Sequence, residues 1–276
     1  MSPIELTRVA KSYGPRHVLE GICLSVEEGE FVAIVGTSAS GKTTLMKLAS
    51  GLETPDRGTV RIGGEPVTGF PNRASIVFQN YSLLPWLSAL ENVSLAVESA
   101  FPEWSAGRHK KQSIRYLELV GLGGAVAKRP GQLSGGMRQR VAIARAFAVE
   151  PRILFLDEPF GALDALTRAT VQQELVKLCQ LRETNVTVLM ITNSVDEAIL
   201  LSDRILALGR GPGAALSPAV PVTLERPRPS DLLMHSDEAV RVRMRVTEFL
   251  TEGSRKGSGA TRFPRSATTK PVPVEA

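Results

Sequence analysis

The sequence contains few of the residues that mark disulfide-bonded, zinc-binding or membrane-spanning proteins. Only two of its 276 residues are cysteines, Cys23 and Cys179, and three are histidines. Two separated cysteines form neither a disulfide framework nor a zinc cluster, which is typical of a reducing compartment. The N-terminus lacks the apolar segment of a secretion signal, and the longest stretch without a charged residue, 74–90, is too short and polar to span a bilayer. We therefore expect a soluble or membrane-peripheral protein.

The chain also lacks the evenly basic character of a nucleic-acid-binding protein. Its formal net charge is +5, but residues 252–276 hold five Lys or Arg against two Glu, so they contribute +3 and the other residues only +2. We therefore do not expect nucleic-acid binding. With 43% hydrophobic and 22% charged residues, the chain can bury a large core.

Short apolar runs alternate with helical patterns, which predicts an α/β fold with a mostly parallel sheet covered by helices. The predicted strand and helix pairs are Phe31–Val35 with Lys42–Leu52, Arg152–Leu156 with Leu166–Leu181, and Val186–Ile191 with Val195–Leu201, followed by a strand at Ile205–Leu208. Three further runs predict an antiparallel β patch, at Ile4–Val9, His17–Val26 and Gly58–Val67. Residues 81–149 lack strand patterning and predict a helical lobe inserted into the domain.

The composition changes after Gly209, where Gly and Pro residues form an extended connector. We expect one domain over residues 1–210, an extension over 211–250 and a disordered basic tail over 251–276. Within the extension, Ser236–Leu250 could be a helix capped by Ser236. The alternation of Val240–Val246 has the period of a strand instead, and we favour the helix.

The segment Gly36–Thr43 matches the phosphate-binding pattern G-x-x-x-x-G-K-[ST] between an apolar strand and a helix, the context that this pattern requires. Its glycines let backbone N–H groups face phosphate oxygens, and the following helix N-terminus adds partial positive charge. Lys42 is expected to reach the terminal phosphates and Thr43 to bind Mg²⁺.

A second apolar strand ends in two carboxylates, Asp157 and Glu158. A phosphate-binding loop needs an acidic residue on a neighbouring strand to hold the metal. Asp157, at the strand end, is the candidate for Mg²⁺ through water. Glu158, one residue further out, is the candidate general base for the attacking water.

The segment Leu133–Arg140, LSGGMRQR, begins a helix with a Ser-Gly-Gly sequence, which is a second anion-binding device. One nucleotide does not easily need both devices from one molecule. Residues 1–210, which contain every motif in the order that the family has, resemble the ATP-binding subunits of ABC transporters. In that family the signature motif of one subunit closes over ATP held by the Walker A loop of another. The resemblance implies the P-loop ATPase fold, with a mixed core sheet, the antiparallel β patch and a helical signature lobe, and implies hydrolysis of ATP with Mg²⁺.

The resemblance also assigns roles to individual residues. Tyr13 matches the aromatic residue that stacks on adenine, Gln79 the Q-loop residue at the metal site, and Asp164 the D-loop residue at the dimer interface. Asp157 and Glu158 match Walker B. The signature residues are Ser134, Gly135 and Gly136, and the Walker A residues are Gly36, Thr37, Ser38, Ala39, Ser40, Gly41, Lys42, Thr43 and Thr44. Ala39 stands where many relatives have glycine, and we expect this change to require only backbone angles that alanine tolerates.

The strand Val186–Ile191 is followed by Thr192, Asn193 and Ser194, where the family normally has a histidine that contacts the γ-phosphate. From the sequence alone, this polar segment could contact a ligand at the strand end or simply cap the next helix. Asn193 can donate a hydrogen bond but cannot carry a proton. Either Asn193 substitutes adequately, or this site is slow and a heterodimeric partner supplies the working site.

The resemblance further implies a homodimer or heterodimer of ATPase subunits, attached to transmembrane permeases at the cytoplasmic face of the membrane and served by a substrate-binding protein. The segment Asn80–Leu87 matches the region that receives a permease helix, although its apolar residues could instead be a core beneath a loop. The sequence looks most like the nitrate/nitrite ATPases within a group of importers for nitrate, sulfonate, taurine and bicarbonate. We expect nitrate as cargo, with the other anions as alternatives. A DNA-repair ATPase would need a long insertion in the lobe, and a translation-associated one would need two cassettes.

Overall fold

The computed structural model describes residues 2–179, 185–229 and 231–256, which form two β-sheets and a set of α-helices. The strands, in chain order, are β1 (Ile4–Tyr13), β2 (Arg16–Val26), β3 (Phe31–Gly36), β4 (Arg57–Ile62), β5 (Glu65–Pro66), β6 (Ala74–Val77), β7 (Ile153–Asp157), β8 (Thr187–Thr192), β9 (Arg204–Leu208) and β10 (Val220–Pro221). The helices are α1 (Lys42–Ala49), α2 (Ala89–Ala100), α3 (Ala106–Leu119), α4 (Gly135–Ala148), α5 (Ala165–Cys179), α6 (Val195–Leu201), α7 (Leu232–His235) and α8 (Asp237–Lys256).

The central sheet has the strand order β10-β9-β3-β8-β7-β6, and only β10 pairs antiparallel with its neighbour. All residues of β3 and β8 are buried, as expected for strands that helices cover on both faces. The five parallel strands therefore end at one edge, which we call the carboxyl edge. It is formed by Gly36, Val77, Asp157, Thr192 and Leu208, and ligands of open α/β sheets bind at such an edge.

The second sheet is antiparallel, in the order β2-β1-β4-β5, and confirms the predicted β patch. The predicted third strand is divided into β4 and β5 by Gly63 and Gly64, which both have positive φ angles. Ile22 of β2 and Leu45 of α1 belong to one buried apolar cluster with Ile34 of β3. This core fixes α1, and hence the loop before it, between the two sheets.

Residues 81–149 contain no strand, as predicted, and helices α2, α3 and α4 pack against one another. Each of these helices begins with a serine cap. The hydroxyl of Ser88 accepts from the backbone N–H of Glu91, and the Glu91 carboxylate accepts from the N–H of Ser88. The hydroxyls of Ser105 and Ser134 accept from the backbone N–H groups of Arg108 and Met137 at the starts of α3 and α4. Such caps are each worth about 1 kcal/mol.

The segment after β6 is bonded to α4 by one partly buried cation. Tyr81 and Ser82 have left-handed backbone angles, with φ of +63° and +46°. Arg145 of α4 donates to the carbonyl oxygen of Tyr81 at 2.9 Å and to that of Ser82 at 2.6 Å. Burial lowers the pKa of Arg145.

Four elements differ from the sequence expectations, one of them helix α7, which falls in the predicted extended connector. Strands β6 and β10 were not predicted, and both are short strands at the two edges of the central sheet. Helix α8 confirms the helical interpretation of the C-terminal segment, but it continues to Lys256 and so includes the start of the predicted disordered tail. The rest of that tail, 257–276, lies outside the described residues. None of the described helices is both long and apolar enough to cross a lipid bilayer.

Candidate functional site

The loop between β3 and α1 is tightly packed against its surroundings. A β-carbon at Gly41, where φ is +101°, would lie 2.9 Å from Val18, and a β-carbon at Gly36 would lie 2.6 Å from the Ser40 hydroxyl. That hydroxyl is buried without a hydrogen-bond partner among the described residues. The loop leads directly into the N-terminus of α1, whose free N–H groups can bind phosphate oxygens.

Two residues with side chains adopt left-handed backbone angles at the carboxyl edge. Ala39 has a φ of +63° and Glu158 a φ of +45°. For a residue with a β-carbon this conformation costs about 1–2 kcal/mol. The expectation that Ala39 needs only a tolerated backbone angle is therefore wrong, because the loop holds it in the conformation that glycine adopts more easily.

Lys42 is 4% exposed and lies at the centre of the site. Its ammonium group donates to the carbonyl oxygen of Thr37 at 3.0 Å and to Oδ1 of Asn193 at 2.7 Å, and it lies 3.3 Å from Oε1 of Glu158. These oxygens hold the lysine at the mouth of the phosphate-binding loop, where it can contact an incoming phosphate.

Asn193 connects the cation and the carboxylate of this site. While Oδ1 accepts from Lys42, Nδ2 donates to Oε2 of Glu158 at 2.7 Å. An amide carries its acceptor and its donors on one carbon, so it can satisfy two opposite charges at once. Ser194, not Asn193, is the cap of α6, because its hydroxyl accepts from the N–H of Glu197 at 3.2 Å. Ligand contact by Asn193 stays a prediction.

The two carboxylates at the end of β7 have different surroundings. Glu158 is anchored through its backbone N–H, which donates to the Ile191 carbonyl oxygen at 2.9 Å, and its carboxylate joins the network with Lys42. The carboxylate of Asp157 has no hydrogen bond or ion pair within the described ranges. Burial, and after it the charge of Glu158, raise the pKa of Asp157. A carboxylate without a hydrogen bond at the end of β7, a strand that packs against α1, fits a hard cation such as Mg²⁺.

Gln79 lies near Glu158, and Tyr13 lies near α1. A β-carbon at Gly161 would lie 3.4 Å from Nε2 of Gln79 and 3.9 Å from Oε2 of Glu158, which places Gln79 next to the catalytic candidates. Tyr13 is 44% exposed, and its hydroxyl donates to Oε2 of Glu53 at 2.7 Å. Burial and then the bond to Glu53 raise the pKa of Tyr13, whereas a hydrogen bond with Thr44 of α1 lowers it.

The signature residues Ser134–Gly136 lie with the predicted D-loop, away from the network around Lys42. Met137 donates its backbone N–H to the Ser134 hydroxyl at 3.3 Å. A β-carbon at Gly136 would lie 2.2 Å from the methyl group of Thr167. Oδ1 of Asp164 accepts from the N–H of Thr167 at 3.0 Å, and this bond lowers the pKa of Asp164. Across the described residues, no hydrogen bond or ion pair joins the signature residues to the Walker A loop.

One residue at the site was missing from the predicted set. Arg210, two residues beyond β9, donates from Nε to the Thr37 hydroxyl at 2.9 Å. The sequence signal for it was its place just beyond a parallel strand, but that place does not reveal the direction of the side chain.

Known proteins with similar sequences agree with this assignment of motifs. The family model described as ABC transporter matches residues 19–161. A nitrate import ATP-binding protein, NrtD of Synechococcus elongatus, is 44% identical, with 86% of each chain covered. The nitrate transport protein NasD of Klebsiella oxytoca is 41% identical over 91% of this chain and 95% of its own. A bicarbonate transport ATP-binding protein, CmpC of Synechocystis, is 45% identical, but the chain spans only 35% of its length.

Solved structures agree with the sequence relatives. The ATP-binding cassette MJ0796, in a dimeric post-hydrolysis state bound to ADP and phosphate, superposes with a TM-score of 0.68 at 31% identity. The alignment covers 80% of this chain and all of that one. These matches confirm the predicted P-loop ATPase fold. The motifs, the fold and the relatives agree, and the chain belongs to the ABC transporter family of ATPases.

Proposed function

We propose that this chain is the ATP-hydrolysing subunit of an importer for a small inorganic anion, most specifically nitrate. The observation that carries the proposal is the Lys42–Asn193–Glu158 network at the carboxyl edge. It joins the lysine of the phosphate-binding loop to a carboxylate that can act as a base, with an amide that fixes both. Such a constellation can bind a triphosphate and direct a water molecule at it.

In this proposal each residue of the network has a defined task. Lys42 binds the terminal phosphates, and the N–H groups of the loop bind the remaining phosphate oxygens. Glu158 accepts the proton of the attacking water, while Asn193 fixes the orientation of that carboxylate. Thr43 and Asp157 would hold Mg²⁺ with Gln79 nearby, and the ion would neutralise charge that develops on the phosphates.

The signature motif has its own proposed partner. The separation of Ser134–Gly136 from the chain's own Walker A loop supports a dimer in which the α4 N-terminus of one subunit faces the nucleotide of the other. Tyr13 would stack on the adenine and Asp164 would contact the partner subunit. The double hydrogen bonding of Asn193 favours a competent site, and therefore a homodimer, over a slow site in a heterodimer.

The proposed contact with a permease lies on the helical lobe. Trp86 is 64% exposed and Leu95 of α2 is 49% exposed, whereas Leu83 packs against the core. The segment Asn80–Leu87 therefore fits both interpretations of its sequence. Leu83 packs against the core beneath the loop, and Trp86 belongs to an exposed apolar surface. Attachment there would place the chain at the cytoplasmic face of the membrane as a peripheral subunit.

Nitrate is preferred to bicarbonate as cargo because the sequence resembles nitrate-type ATPases; NrtD and NasD match over most of their lengths, as does CmpD, a bicarbonate transport ATP-binding protein of Synechocystis. Bicarbonate is the second candidate, since CmpC and CmpD are equally similar in identity. Sulfonate and taurine have no relative of this kind among the matches described above.

Two experiments test the proposal. The purified chain should release phosphate from MgATP, and Lys42→Ala should abolish this release. Lack of turnover by the unaltered chain, alone and with its permeases, would refute the ATPase proposal. Cells lacking the gene should lose uptake of labelled nitrate and recover it with the intact chain but not with Glu158→Gln. Loss of bicarbonate uptake instead would reassign the cargo.

A further inference from the structure

The position of Arg210 follows from the register of the central sheet. Leu208 of β9 pairs with Gly36 of β3, so that the residues beyond them run alongside the phosphate-binding loop. A β-carbon at Gly36 would lie 3.3 Å from the Leu208 carbonyl oxygen, which shows how closely the two chains approach. Arg210 therefore emerges at the carboxyl edge beside the loop.

The turn that carries Arg210 is anchored on both sides. The N–H of Gly209 donates to the carbonyl oxygen of Ala215 at 3.0 Å, and the N–H of Ala214 donates to that of Val18 at 3.0 Å. Val18 is also the residue that a β-carbon at Gly41 would contact. The turn and the phosphate-binding loop are thus packed against the same strand, β2.

The guanidinium of Arg210 differs from those of other arginines beside this sheet. Arg204 and Arg226 form ion pairs with Glu30 and Asp203. Arg210 is exposed, and no carboxylate within the described ranges lies at ion-pair distance from it. Its Nε is engaged by Thr37, which leaves both terminal NH₂ groups to donate to another acceptor.

The negative charges expected at the site, from two carboxylates and a bound nucleotide, favour a second cation beside Lys42. Lys42 is the buried cation of the network, and it faces the two carboxylates Asp157 and Glu158. A nucleoside triphosphate remains anionic even with a divalent cation bound. Thr37 connects the two cations, because its carbonyl oxygen accepts from Lys42 and its hydroxyl from Arg210. Arg210 and Lys42 therefore contact the same residue of the phosphate-binding loop, where the phosphates are expected.

We infer that Arg210 is a second phosphate-binding cation, held by the Thr37 hydroxyl and directed at the terminal phosphate of the nucleotide. The inference rests on the proposed nucleotide site and adds to it a residue that discriminates a triphosphate from a diphosphate. A guanidinium suits this task because it stays charged at every physiological pH and offers paired donors to phosphate oxygens.

The test is a binding measurement with Arg210→Gln, with Arg61→Gln as the matched control. Arg61 is another exposed arginine with one hydrogen bond, to the Gly64 carbonyl oxygen in the antiparallel sheet. Calorimetric titration with Mg²⁺ and a non-hydrolysable β,γ-imido ATP, and separately with ADP, gives two dissociation constants for each protein. We expect Arg210→Gln to weaken triphosphate binding about fivefold, the size of an exposed charge pair, and to leave ADP binding nearly unchanged. Arg61→Gln should alter neither.

Three results would overturn the inference. If Arg210→Gln weakened the binding of ADP and of the triphosphate equally, Arg210 would not contact the terminal phosphate. Unaltered binding of both nucleotides would lead to the same conclusion. Unaltered binding combined with loss of the ATP-dependent dimer in a Glu158→Gln background would assign Arg210 to a partner carboxylate instead. If the parent chain itself bound neither nucleotide, the proposed function would fail along with the inference, so the two failures can be told apart.

Discussion

Replacing Asn193 by leucine tests the central network most directly. Leucine has the same branching and the same number of side-chain heavy atoms as asparagine, but it can neither accept from Lys42 nor donate to Glu158. The two hydrogen bonds that it removes are both 2.7 Å long, and each involves a charged partner. The change therefore isolates hydrogen bonding from packing.

The expected loss follows from these contacts. A hydrogen bond to a charged group contributes about 1.5–3 kcal/mol, and the exposure of Asn193 favours the lower end. Only the bond to Glu158 acts directly on the base. A loss of about 1.5 kcal/mol of transition-state stabilisation lowers the rate roughly tenfold, so we expect Asn193→Leu to reduce kcat by about that factor.

The assay is steady-state release of phosphate at saturating MgATP, with two further variants as controls. Asn193→Asp keeps an acceptor for Lys42 but places a second carboxylate against Glu158, so it should be slower than Asn193→Leu at neutral pH. Asn193→His should bring no marked gain, because the amide already holds Glu158. Wild-type turnover in Asn193→Leu would refute the role of the network. A large gain in Asn193→His would instead identify a slow site that needs a heterodimeric partner.

Three further predictions concern stability. Ala39→Gly should raise the free energy of unfolding by about 0.5–1 kcal/mol in thermal melts, because it relieves the left-handed strain; an unaltered melt would show that the loop carries no such strain. Gly136→Ala should lower it by about 1–3 kcal/mol in denaturant titrations, and Thr167→Ser, which removes the opposing methyl group, should restore most of the loss. Asp157→Asn should stabilise the nucleotide-free chain at neutral pH. The raised pKa of Asp157 means that its ionisation costs stability as pH rises through that pKa, so the gain should vanish in acid, where the native carboxyl is also neutral. A gain that persisted in acid would have another cause.

The sequence predicted the parts of the site that are local in the chain. The phosphate-binding loop, the end of β7 and the signature helix each combine a motif with the strand or helix that carries it. The contact of Lys42 with Asn193 joins residues 151 positions apart, and its geometry depends on the register of β3 against β8. The hydrophobic periodicity of the sequence does not specify that register, so it could not predict this contact.

Helix α8 shows why the C-terminal segment was ambiguous. Ala239, Val242 and Val246 are buried and follow the helical spacing, whereas Val240 and Met244 are exposed. The exposed apolar residues, added to the buried ones, produce the period-two pattern of a strand. Strand β6 was missed for a related reason, because four residues at a sheet edge give too short a pattern to separate from a loop.

The partly buried guanidinium of Arg145 has a consequence for the movement of the helical lobe. It grips two successive carbonyl oxygens just beyond Gln79, and it belongs to the same rigid rod that begins at the signature glycines. If α4 moved relative to Tyr81 and Ser82, both hydrogen bonds would break, and a hydrogen bond to a charged group contributes about 1.5–3 kcal/mol, with the lower end applying to a partly buried cation. We therefore expect Gln79 and the Ser134–Gly136 motif at the opposite end of α4 to move together.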